Sequence, residues 1–157
     1  MEEIKKEPIT VLFILLNILI FLVVDFTGGS ENTAHMIECG AAYPPLILEN
    51  EEIYRLFTCM FLHFGIYHIA NNMLVLFVLG QRLEPVVGKI KFILIYLLGG
   101  LGGNIFSFIM EMKSADYAVS AGASGAAFAV KGEMLYVVIR THGSIKDIYV
   151  SQMMNLD

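Results

Sequence analysis

Residues 9–24 form an almost unbroken apolar run, interrupted by Thr10 and Asn17, that ends at Asp25 ahead of Thr27-Gly28-Gly29. With Asp25 and Phe26 it reaches the roughly 17–25 residues a membrane-spanning helix needs. A first span is predicted over residues 9–26. The pattern then changes. Residues 27–62 are polar at first, pass through Tyr43-Pro44-Pro45 and carry acids from Glu49 to Glu52. Ile53, Leu56, Phe57, Met60 and Phe61 follow at helical spacing, with Tyr54 and Arg55 between them, which predicts a helix lying in the membrane interface. Apolar character returns over residues 61–80, the second predicted span, closed by a turn through Gln81, Arg82, Pro85 and Gly88. A third span is predicted over 91–110, where Gly99 and Gly103 form a GxxxG face that lets helices approach closely. A fourth is predicted over 117–139, with Ala118, Gly122 and Ala126, then Gly125 and Ala129, at four-residue steps. So small a face belongs in the middle of a bundle.

Composition agrees with the pattern. The 157 residues are 57% hydrophobic and 16% charged, with a mean hydropathy of +0.69; soluble chains are closer to half apolar and a quarter charged. The fold class is therefore all-α, a polytopic transmembrane helical bundle in one domain over residues 1–157. A net charge of -5 without a basic run argues against nucleic acid as a partner. The first apolar run lacks a small-residue cleavage site and reads as an anchor. Cys39 and Cys59 make neither a CxxC nor a metal spacing; one disulfide between them is an open alternative, and two free thiols are the favoured reading.

Lys and Arg set the expected orientation. Lys5, Lys6, Arg82, Lys89, Lys91, Arg140 and Lys146 fall on one side, against Arg55 and Lys113 on the other, so both termini are expected in the cytoplasm of a cell-membrane protein. His68 and Asn72 then lie near the outer end of the second span and Ser124 near that of the fourth. A helical rise counted from Tyr117 puts Ser124 on the order of 10 Å below the outer surface.

Two polar clusters at similar depth invite a chemical reading. Ser124 sits in Gly122-Ala123-Ser124-Gly125, where neither glycine shields its hydroxyl. The same small residues also suit helix packing, their commoner use in membranes. His68 and Asn72 share a helix face, Asn71 pointing about 100° away. Two donors on one face suit a developing oxyanion; they suit bonds to neighbouring helices equally well. His63 and His68 stand five apart without an HExxH, so no metal site is predicted, and no cofactor is called for.

These residues resemble the rhomboid family of intramembrane serine proteases. The resemblance is carried by Tyr54-Arg55 ahead of the second span, His63, His68-x-x-x-Asn72, Gly80, Glu84, Gly88, the glycine-rich third span and Gly122-Ala123-Ser124-Gly125. It implies a rhomboid-like bundle with four of six spans present. It also implies Ser124 as nucleophile and His68 and Asn72, with the Ser124 backbone N–H, as oxyanion-stabilising groups. Gly122 and Gly125 support the motif, and transmembrane proteins in the bilayer are the implied substrates, cut near the outer surface without metal or ATP.

The sequence also departs from the family. The general-base His that the resemblance implies belongs to a sixth span, which leaves this chain expected to be inactive as given. His142 is too far along the chain to reach Ser124, and His35 and His63 are expected in the outer loop and at its rim. Phe128 stands where the family often has Tyr. Lys131 and Glu133 fall inside the fourth span, facing lipid or absent helices, or marking release from enzymatic constraint. Exposed helix faces predict self-association. The alternative function is a catalytically inactive rhomboid-like protein that binds transmembrane clients.

Overall fold

The computed structural model describes residues 7–114 and 117–140. Lys5, Lys6, His142 and Lys146, which enter the orientation and distance arguments above, lie outside these residues. The elements in chain order are α1 (Pro8–Gly28), α2 (Thr33–Glu38), α3 (Pro44–Glu49), α4 (Arg55–Thr58), a 3-10 turn (Cys59–Phe61), α5 (Gly65–Val87), α6 (Lys89–Ser114) and α7 (Ser124–Arg140). Among the described residues the only β pairing is the isolated antiparallel bridge between Ala42 and Ser120. The chain is an all-α membrane bundle. α1 and α6 are each long and apolar enough to cross a bilayer, and the α4/3-10 segment with α5 makes a third candidate, bent by 88°.

α1 starts at Pro8, whose missing N–H costs nothing at a first helical turn. Thr10, Phe13, Asn17, Phe21 and Val24 form its buried stripe. The two polar residues that interrupt the apolar run thus point inward, not to lipid. Phe13 stacks on Tyr96 of α6 with ring centroids 4.0 Å apart, and Asn17 Nδ2 donates to the Phe13 carbonyl and to Tyr96 Oη. The start of α1 is tied to α5 by Glu84, which is 1% exposed. Its carboxylate accepts from the Ile9 and Thr10 N–H groups at 3.0 and 2.7 Å and from the Thr10 hydroxyl at 2.7 Å. A carboxylate at a helix N-terminus satisfies orphan donors and complements the helix dipole.

Three boundaries differ from the hydropathy reading. Residues 81–85, expected in a turn, continue α5 to Val87, because Leu83 and Glu84 are buried against the bundle. Gly88 alone makes the turn, at φ +82°. The second span, expected from residue 61, breaks before α5 starts at Gly65 (φ +72°), and α4 with the 3-10 turn lies across it. The third difference shapes the site: α7 starts at Ser124, not near Tyr117. The segment before it is extended, Ser120 pairing with Ala42, and Gly122 takes φ +128°, outside helical space for any residue. The depth counted from Tyr117 by helical rise therefore does not apply.

α6 and α7 pack through small residues, as the GxxxG pattern predicted. A Cβ on Gly99 would overlap the Ala129 Cβ, and one on Gly103 would stand 3.0 Å from the Gly125 Cα. The outer loop is clamped by Arg55, 5% exposed, whose guanidinium donates to the Ile37 and Ala41 carbonyls and to Glu52. Cys39 and Cys59 are both free thiols.

Candidate active site

Ser124 is the first residue of α7 and is exposed. None of the described residues hydrogen-bonds its Oγ. The N–H groups of a first helical turn have no intrahelical acceptor and carry the positive end of the helix dipole. A serine at this position combines an accessible hydroxyl with donors suited to an anion.

Three contacts hold the preceding loop. The Gly122 N–H donates to the Cys59 carbonyl at 2.9 Å, Ser120 bridges to Ala42, and the Ala123 N–H donates to His63 Nε2 at 3.3 Å. His63 is 1% exposed. Its expected place at the rim is thus corrected, since it lies buried beneath the residue next to Ser124. Accepting at Nε2 requires the neutral ring to carry its proton on Nδ1. Sequence reading missed this role because spacing gives no clue to a bond across sixty residues; the one signal was a polar ring in an apolar stretch.

His68 and Asn72 converge on the same loop. A Cβ on Gly122 would lie 2.6 and 2.7 Å from the His68 Cε1 and Nε2 and 3.5 Å from the Asn72 Nδ2. Only glycine fits there, for its φ and for its space. The His68 ring meets His63 edge to face, centroids 5.2 Å apart. Asn72 Nδ2 is buried and makes no hydrogen bond, an unused donor directed at the serine loop. Asn71 is exposed, on the face predicted for it. Gly125 lies against the Gly100 carbonyl, where a Cβ would come within 3.2 Å. Ser124 opens onto a groove of about 780 Å³ between α6 and α7, lined also by Gly99, Gly103 and Phe128. His35 does not approach the site. It bonds Thr27 Oγ1 and the Val24 carbonyl at the end of α1.

The fold and site define a class: a helical membrane protein with an exposed serine at a helix start, overlooked by a histidine and an asparagine of a neighbouring helix. Residues 50–156 match the Rhomboid domain. The chain belongs to the rhomboid family, a family of intramembrane serine proteases. It is 42% identical over 134 residues to rhomboid protease GluP of Bacillus subtilis, covering 85% of this chain and 25% of that protein. It is 38% identical over 96 residues to RHOMBOID-like protein 1 of Arabidopsis thaliana, covering 61% of this chain and 24% of that one. With putative rhomboid protease YdcA of Bacillus subtilis it shares 39% identity over 90 residues, 57% of this chain and 44% of that protein. The chain thus spans about a quarter of the first two relatives' length and under half of the third's.

Proposed function

We propose that this chain carries the nucleophile and oxyanion-binding part of an intramembrane serine endopeptidase acting on transmembrane proteins near the outer membrane surface. The observation that supports it best is the convergence of His68 and the unpartnered Asn72 amide on Gly122, two residues ahead of an exposed Ser124. In this reading Ser124 Oγ attacks the scissile carbonyl carbon while a base takes its proton. The carbonyl oxygen, now an anion, is held by the Ser124 N–H, His68 and Asn72. The C–N bond then breaks, the amine leaves with a proton, and water releases the acyl group from Ser124. Preorganised donors of this kind are each worth on the order of 10²–10³ in rate. The Lys and Arg distribution supports a multi-pass cell-membrane protein with cytoplasmic termini.

A second reading is a catalytically inactive client-binding protein. It is favoured by one specific observation: none of the described residues contacts Ser124 Oγ as a base, and an unactivated serine is a weak nucleophile.

One experiment separates the two. The chain in lipid vesicles is challenged with a fluorophosphonate and with a transmembrane reporter. Proteolysis predicts labelling and cleavage that Ser124→Ala abolishes and that Asn72→Ala reduces by about 10²-fold. Client binding predicts reporter capture unchanged in Ser124→Ala, without labelling; that result would overturn the peptidase reading.

A further inference from the structure

The extended segment that leads to Ser124 has a tether to α6 that the site described above does not include. Ser120 Oγ donates to Glu111 Oε1 at 3.0 Å, a bond between the last turn of α6 and a residue shortly ahead of Ser124. Ser107 Oγ stands 3.5 Å from the same oxygen. That is beyond the roughly 2.5–3.0 Å of a good O–H···O bond, so Ser120 is the partner that counts. Of residues 118–123, only Ser120 has a side chain able to hydrogen-bond.

Ser120 is also where the chain is first fixed after α6. Among the described residues no backbone–backbone hydrogen bond holds 117–119, whereas Ser120 exchanges two with Ala42, at 2.8 and 2.9 Å. The Glu111 bond ties α6 directly to that fixed point across a sequence separation of 9. So short a closure costs little chain entropy, and a charged acceptor makes the bond stronger than a neutral one.

Glu111 does not serve its own helix. A carboxylate in a last turn faces the negative end of the helix dipole, and α6 ends at Ser114. Its surroundings account for it instead. Asn104, Ser107 and Glu111 stand at i, i+3 and i+7 on one face, and that face meets the outer loop, where Asn104 Nδ2 donates to the Leu56 carbonyl at 2.8 Å. Pro44, Ile47 and Phe108 close round Glu111 and Ser120 and leave a cavity of about 10 Å³, room for one water at most. On that side the carboxylate has little space to turn away from Ser120.

We propose that Glu111 is a positioning residue: through the Ser120 hydroxyl its carboxylate fixes the extended segment ahead of α7, and so the place of Ser124. Gly122 and Ala123 carry the effect forward, because their N–H groups reach the Cys59 carbonyl and His63 only while the segment keeps its register. The effect on the loop is independent of what Ser124 does; the effect on turnover rests on the peptidase reading.

The test compares Glu111→Ala, Glu111→Gln, Ser120→Ala and the double alanine variant of the full chain in vesicles. Hydrogen exchange at the Gly122 N–H is the first readout, because no substitution touches the residues flanking that group. Glu111→Ala is expected to speed it roughly 5- to 30-fold, with protection in α1 and α6 unchanged. Ser120→Ala does the same, and the double variant goes no further than either single one. Glu111→Gln keeps an acceptor oxygen and stays within about 3-fold of wild type. Turnover of the transmembrane reporter follows the same order, kcat falling by roughly 10- to 100-fold in Glu111→Ala with KM held, and the Gln variant restoring it. Exchange at Gly122 that does not respond to Glu111→Ala overturns the proposal, as does faster exchange spread equally through α1 and α6. So do single effects that multiply in the double variant (independent roles), or a Gln variant that exchanges as fast as the Ala variant (no hydrogen bond). The expected exchange pattern in a wild-type chain that cuts no reporter keeps Glu111 as the tether of the loop and removes the peptidase reading alone.

Discussion

The Ala123 N–H donates to His63 Nε2 at 3.3 Å, which joins the serine loop to the segment just ahead of α5. That bond, with the Gly122 N–H on the Cys59 carbonyl, sets where α7 starts and hence where Ser124 stands. His63→Ala leaves the Ala123 N–H buried without an acceptor, at a cost of about 1–3 kcal/mol. The expected outcome is faster hydrogen exchange at Ala123 with the protection of α1 and α6 unchanged. Unchanged protection at Ala123 would show that the loop is held without His63.

The Glu84 cap on α1 makes a second prediction. Glu84→Ala strips the Ile9 and Thr10 N–H groups and the Thr10 hydroxyl of their acceptor, and should destabilise the bundle by about 2–4 kcal/mol. Thr10→Val removes one of the three bonds and should cost about 1 kcal/mol. Detergent-based unfolding of both variants gives the ranking; equal losses would contradict it.

Glycines of α6 should divide by what they face. Gly99→Ala places a methyl on the Ala129 Cβ and should cost about 1–3 kcal/mol through overpacking. Gly102→Ala has nothing within 4 Å to meet and should be neutral or slightly stabilising, since alanine favours helix over glycine. The same unfolding assay applies, and a reversed order would mean that α6 and α7 pack in another register.

Acid should loosen the outer loop. The Arg55 guanidinium, bonded to the Glu52 carboxylate, holds that carboxyl below its ordinary value of 4.5, with smaller help from Asn50 and Tyr54. A depressed folded-state value means the contribution is fully present above pH 4.5 and is lost as pH falls through the lower, folded value. Limited proteolysis of the loop ahead of α4 should therefore be the same at pH 7 and pH 5 and increase only below the ordinary glutamate range. Arg55→Lys, which cannot span the Ile37 and Ala41 carbonyls as a planar fork, should raise cleavage at neutral pH. Equal cleavage of wild type and Arg55→Lys would remove Arg55 as the clamp.

The sequence by itself determined the membrane class, the α1 and α6 spans and the small-residue faces of α6 and α7, while the structure decided that these two faces meet. Hydrophobic length and four-residue glycine spacing are local properties, legible without knowing what packs where. It also gave the candidate residues Ser124, His68 and Asn72, through an exposed serine motif and one shared helix face. Tertiary structure alone decided the rest. The start of α7 moved from near Tyr117 to Ser124 because Ser120 pairs with Ala42 and His63 binds Ala123, bonds between residues far apart in the chain. Glu84 turned from a turn residue into a buried cap for the same reason: its partners, Ile9 and Thr10, lie on another helix. Periodicity reports which side of a helix is buried. It does not report which backbone groups that side will meet, and those unpaired donors and acceptors fix where the elements end and where the site stands.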